Sequence, residues 1–246
     1  MDIKLRDKFL ILWKKYFNHA ELPVTFYFTD DNTRAEPAGT MALPRCVIGA
    51  LGTVREGKSI FFDAESLKCG KRFLGFTREV RPNFNYFLSC GIPNKVRGER
   101  YVKTPEMVQE IFNNTPAITA PAKYIVFKRW DKLDEKDNPQ VVIFFASPDV
   151  LSGLYTLSRF DETDRGAVLA PFGSGCSAIV QNPYMEQLSE HPRAILGMFD
   201  PSARVSVPKD VLTLSIPMKK FVKMVDNMEE SFLITEAWQK VQQRIP

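Results

Sequence analysis

Two runs of β-branched and aromatic residues, Lys-Tyr-Ile-Val-Phe-Lys at 123–128 and Gln-Val-Val-Ile-Phe-Phe-Ala at 140–146, are the strongest strand signals in the chain and commit it to building a sheet. The charged tract 131–138 between them predicts a hairpin or a solvated loop. Further strands are predicted at 23–29, 59–63, 167–169, 193–199 and 211–216, and helices at 1–17, 45–54, 104–114, 148–158 and 218–244. The helices do not separate the strands in a regular crossover series. The pattern therefore points to an α+β fold, a mixed sheet with covering helices, and against a doubly wound parallel sheet.

At 246 residues the chain is long enough for a sizeable core, and residues 1–246 read as a single α+β domain. The net charge of +4 comes from 33 basic and 29 acidic residues without an arginine-rich run, so no nucleic-acid partner is expected. No apolar stretch reaches the roughly 18 residues of a membrane span, and no membrane partner is expected. Residues 1–17 carry charges throughout, and their apolar positions Phe9, Leu12, Trp13, Tyr16 and Phe17 recur at helical spacing. That describes an amphipathic helix packed on the body, not an export signal, and points to the cytoplasm. In a reducing compartment Cys46, Cys69, Cys90 and Cys176 are thiols, metal ligands or reactive groups before they are disulfides.

An internal match suggests a duplication. Val47, Leu51, Thr53 and Val54 are spaced as Val150, Leu154, Thr156 and Leu157, each set in a predicted helix. A strand follows in both copies, and then a glycine-flanked cysteine, Cys69 or Cys176, which predicts two helix-strand-loop halves at about 22–90 and 123–200.

The chemistry, if any, concentrates at those cysteines. In Pro-Phe-Gly-Ser-Gly-Cys-Ser at 171–177, glycines precede a short apolar run that can begin a helix, an arrangement that turns successive backbone N–H groups toward one anion. Gly173, Ser174, Gly175, Cys176 and Ser177 are therefore candidate ligand-binding residues, with Cys176 a nucleophile or ligand in that reading and a small buried packing residue in the plainer one. Cys69, Gly70, Lys71 and Arg72 form the second candidate loop, where the cations either stabilise a thiolate or an anion or are solvated surface charge. No Cys-x-x-Cys pair occurs, so a metal or cluster would have to be assembled in space from Cys46, Cys69 and Cys176. His19 and His191 read as surface residues, and Asp200 with Arg204 as a local ion pair in a turn. The aromatic segment 81–87 either walls a ligand pocket or makes ordinary core contacts.

The segments 57–70, 74–76, 171–176 and 197–204 together resemble the domain of unknown function 169 family, over a span from about Leu22 to the C-terminal helix. The resemblance implies a cytosolic protein of bacterial or archaeal type in which the cysteine-glycine segments belong to a shared pattern, and it implies no reaction. The first cysteine segment departs from that pattern: Gly70 alone stands between Cys69 and Lys71, where a run of glycines is associated with the family. Two functions follow. One is the binding of an anionic small molecule, metal or cofactor of unspecified identity through the cysteine loops, with or without catalysis. The other is a non-catalytic interaction or assembly role, compatible with a homo-oligomer, in which the cysteines only pack.

Overall fold

The structure is a computed structural model that describes residues 1–38, 46–67 and 70–245. Its strands are β1 (Val24–Thr29), β2 (Glu36–Pro37), β3 (Ile60–Phe62), β4 (Tyr124–Arg129), β5 (Val141–Ala146), β6 (Val168–Leu169), β7 (Ala194–Gly197) and β8 (Leu212–Pro217), joined in one mixed sheet in the order β2-β3-β4-β1-β5-β8-β7-β6. The α+β architecture expected from the sequence is present.

The two strongest strands do not form a hairpin. β1 lies between them, with Phe26 opposite Phe127 of β4 on one side and Val141 of β5 on the other. Val24, Phe26 and Tyr27 are all buried, so β1 is apolar on both faces and gains most from a central position. The connector 130–140 crosses its end and is only partly solvated. Asp137 is buried and accepts from Lys128 Nζ through both oxygens at 3.0 Å, from Arg34 Nη1 at 3.0 Å and from the Tyr27 hydroxyl at 2.5 Å. Burial, then the hydrogen bond to Asp137, holds the Tyr27 hydroxyl far above its ordinary pKa.

The pairing of β1–β4 recurs in β5–β8. β1 with β4 and β4 with β3 are antiparallel and β3 with β2 parallel; β5 with β8 and β8 with β7 are antiparallel and β7 with β6 parallel. This is not the correspondence read from the sequence. α2 (Val47–Arg55) packs with Ile143 and Phe145 on one face, whereas α5 (Pro148–Leu157) packs with Val142 and Phe144 on the other. Alternate residues of β5 point to opposite faces, so α2 and α5 cannot be equivalent. The element joining β6 to β7, as α2 joins β2 to β3, is a π-helical segment (Ser177–Gln181) continuing into α6 (Asn182–Gln187).

The α5 face is an aromatic layer. α1 (Ile3–Phe17) delivers Phe9, Trp13 and Phe17 onto Phe144 and Trp130, with Trp13 and Phe17 stacked at 4.2 Å. The predicted C-terminal helix is divided into α8 (Met218–Asn227) and α9 (Glu236–Gln242). Between them Ser231 Oγ accepts from the Leu233 N–H and Thr235 Oγ1 from the Trp238 N–H, since hydroxyls that satisfy a new helix start compete with continuation of the old one. The opposite face is covered by α2, the 175–187 helix and the long 63–123 connection, which holds α3 (Phe84–Leu88) and α4 (Pro105–Asn114).

Candidate functional site

The glycine-rich loop at 173–175 is built as its sequence suggests, but its donors are engaged within the chain. Ser174 Oγ accepts from the Ser177 N–H at 3.1 Å and so caps the helix that starts at Gly175. The Gly175 N–H donates to Asp200 Oδ2 at 3.3 Å. Asp200 does not pair with Arg204, as its spacing had suggested. Its Oδ1 accepts from the Ser202 N–H at 2.9 Å and the Ser202 hydroxyl at 2.7 Å, capping α7 (Pro201–Arg204), while Arg204 donates to the carbonyls of Val211 and Lys209. A carboxylate of the protein thus sits at the helix start, where the N–H groups and the helix dipole favour negative charge. A side chain at Gly175 would press on Ala203 Cβ at 2.9 Å and Ile48 Cγ1 at 3.0 Å, so only glycine admits the contact.

The two candidate loops meet. A Cβ placed on Gly70 would lie 3.1 Å from Val47 Cγ2 and 3.6 Å from Cys176 Sγ, so the backbone after the first cysteine passes close to the second. Cys69 itself lies outside the described residues. From Gly70 the chain makes the expected helical turn, with the Leu74 N–H donating to Gly70 O at 3.0 Å and the Phe76 N–H to Lys71 O at 2.9 Å. Cys176 is buried in the core, Cys46 is partly buried and packs on the same cluster, and Cys90 is exposed. Among the described residues no three histidine, cysteine or acidic side chains are grouped as a metal ion requires. Both histidines are exposed.

Above these loops lies a cavity of about 350 Å³, within the usual small-molecule range. Its floor is Cys46, Ile48, residues 171–177 and Ala203; its roof is Phe84, Phe87, Leu88, Val102, Val108, Ile111 and Phe112 from the 63–123 connection. The roof explains why α3 buries none of its residues: Phe84 and Phe87, stacked at 5.7 Å, line a chamber instead of a packed core. Segment 81–87 therefore walls a pocket. Asp200, Ser202 and Tyr101 give the chamber a polar corner, the Tyr101 hydroxyl donating to Glu99 at 3.0 Å and accepting from the Ser202 N–H at 3.1 Å.

Arg72 is the cation in this apolar wall. Its guanidinium lies over the Phe112 ring at 5.2 Å and donates through Nη1 to the Arg78 carbonyl, while Nε is buried with no partner. Burial lowers its pKa, the mark of a charge held in a poorly solvated place. A stranded donor costs about 1–3 kcal/mol and can be relieved by an anion. Of the sequence candidates, Arg72, Gly173, Ser174, Gly175, Cys176 and Ser177 line this cavity, Gly70 supports it from behind, and Lys71 lines a neighbouring hollow. Sequence reasoning missed Tyr101, Val108, Ile111 and Phe112. The apolar spacing of α4 was its only signal, and that spacing reads equally as core.

The fold thus sets one partly buried cation, Arg72, in the wall of a mostly apolar chamber. The model of the domain of unknown function 169 family, described as an uncharacterised ArCR, matches residues 14–227, and the chain belongs to that family. No curated protein and no solved structure matches it. Among the described residues no helix is long and apolar enough to cross a membrane.

Proposed function

We propose that this protein, acting in the cytoplasm, binds a small organic anion with a substantial apolar body in the chamber between the 171–177 loop and the α3–α4 roof. The observation that carries the reading is Arg72, with its unpartnered Nε, in the wall of a mostly apolar cavity. The glycine loop serves as floor and support, since Asp200 and Ser174 already use its donors. The recurring strand pairing further supports descent from a duplicated four-strand unit, in which the 63–123 connection is the insertion that roofs the chamber.

The test is titration calorimetry and thermal unfolding with decanoate and decyl phosphate below their micelle concentrations. Saturable binding is expected, with stabilisation of about 2.7 kcal/mol at a hundredfold excess over Kd. Arg72→Gln should weaken binding by about 10- to 100-fold, the worth of one charge-assisted hydrogen bond. Leu88→Trp, which fills the chamber from its roof, should abolish binding while the protein stays folded. Binding that survives both substitutions places the ligand elsewhere and ends this reading.

A further inference from the structure

A second hollow of about 390 Å³ shares Arg72, Phe73 and Phe84 with the chamber wall. Its character is different. Lys71, Arg72 and Arg81 line it, against the single carboxylate of Glu79, and Thr77 and Val80 complete the rim. None of the three cations forms an ion pair among the described residues. An apolar chamber and a basic vestibule therefore abut at one residue, Arg72.

We infer that the ligand is a hydrocarbon phosphate ester, its body in the chamber and its phosphate in the vestibule; this rests on the binding reading above. A carboxylate carries one charge and is matched by Arg72 alone. A phosphate monoester carries about −1.5 to −2 at neutral pH, with three acceptor oxygens, and matches three cations that line one hollow better than one. The contact with Phe112 at 5.2 Å restrains the Arg72 guanidinium, whose permanent charge suits a phosphate. Lys71 and Arg81, on the rim, supply charge to the same head.

The experiment compares decyl phosphate, decanoate and inorganic phosphate on the wild-type protein, on Lys71→Gln/Arg81→Gln and on Arg72→Gln. Decyl phosphate should bind about 10-fold more tightly than decanoate, and the double substitution should remove most of that advantage while leaving decanoate nearly unchanged. Arg72→Gln should weaken both. Inorganic phosphate should bind far more weakly than its decyl ester, because the chamber supplies the apolar contacts. The advantage of the ester should shrink between pH 7 and pH 5, as its phosphate loses charge around a second pKa of about 6. Equal affinity for the two amphiphiles, or an advantage unmoved by the double substitution, overturns the phosphate assignment but leaves the binding reading intact. If neither amphiphile binds, the binding reading itself fails. Inorganic phosphate binding as tightly as the ester would mean that the chamber takes no part.

Discussion

Replacing Asp200 by alanine tests whether the glycine loop is closed by the protein's own carboxylate. The side chain is 6% exposed and accepts from the Gly175 N–H at 3.3 Å, the Ser202 N–H at 2.9 Å and the Ser202 hydroxyl at 2.7 Å. Loss of a helix N-cap costs about 1 kcal/mol. Stranding the buried Gly175 N–H adds about 1–3 kcal/mol, while the exposed Ser202 hydroxyl turns to water at little cost. The total is about 2–4 kcal/mol, which for a chain of this size lowers the unfolding midpoint by roughly 5–15 °C. Asp200→Asn keeps one acceptor oxygen and should lose about half as much. Calorimetry and urea unfolding of the three proteins at pH 7 give the values. Stability of Asp200→Ala within about 0.5 kcal/mol of wild type would refute the reasoning and reopen the loop as a seat for an external anion.

Other perturbations address the scaffold. Asp137→Ala leaves the buried Lys128 ammonium without its main partner and should cost about 3–5 kcal/mol in urea unfolding; a loss under about 1 kcal/mol would show the network to be dispensable. A Cβ on Gly153 would stand 2.3 Å from the Trp238 ring and 2.9 Å from Phe17, so Gly153→Ala should destabilise by about 1–3 kcal/mol despite its better helix propensity, and a stabilised variant would contradict the packing at α5. For Glu186, burial pushes the carboxyl pKa up, but hydrogen bonds from the Arg193 side chain and backbone N–H, with the charge of Arg193, outweigh it, and the net shift is downward from 4.5. A carboxyl depressed on folding stabilises above its unfolded pKa and loses that contribution as pH falls through the folded one. The unfolding midpoint should therefore fall more steeply below about pH 4.5 in wild type than in Glu186→Gln, and parallel curves would remove the pair from the acid transition.

The fold was legible where burial dictates the residue type, and the site where one residue's role is local. β4 and β5 announced themselves because both faces are buried, but nothing local in 131–138 said that β1 would be inserted between them, since strand order is decided by long-range pairing. The match of α2 to α5 arose from common apolar spacing and failed because that spacing does not specify a sheet face. The glycines at 173 and 175 were identified from sequence; their partner Asp200, 25 residues beyond Gly175, was instead read against its neighbour Arg204. The chamber was hidden for a similar reason: Val108, Ile111 and Phe112 have a core-like helical pattern, and only the three-dimensional structure shows that they face open space. Segment 81–87, compact and aromatic, was the one part of the roof visible beforehand.

The central claim is that a small apolar anion occupies this chamber, and methyl-resolved NMR titration with decyl phosphate tests it most directly. Saturable shifts at Ile48, Leu88, Val102, Val108 and Ile111, with Ile216 and Leu233 on the opposite face unmoved, are the expected result. Unmoved chamber methyls, or shifts spread equally over both faces, would contradict it.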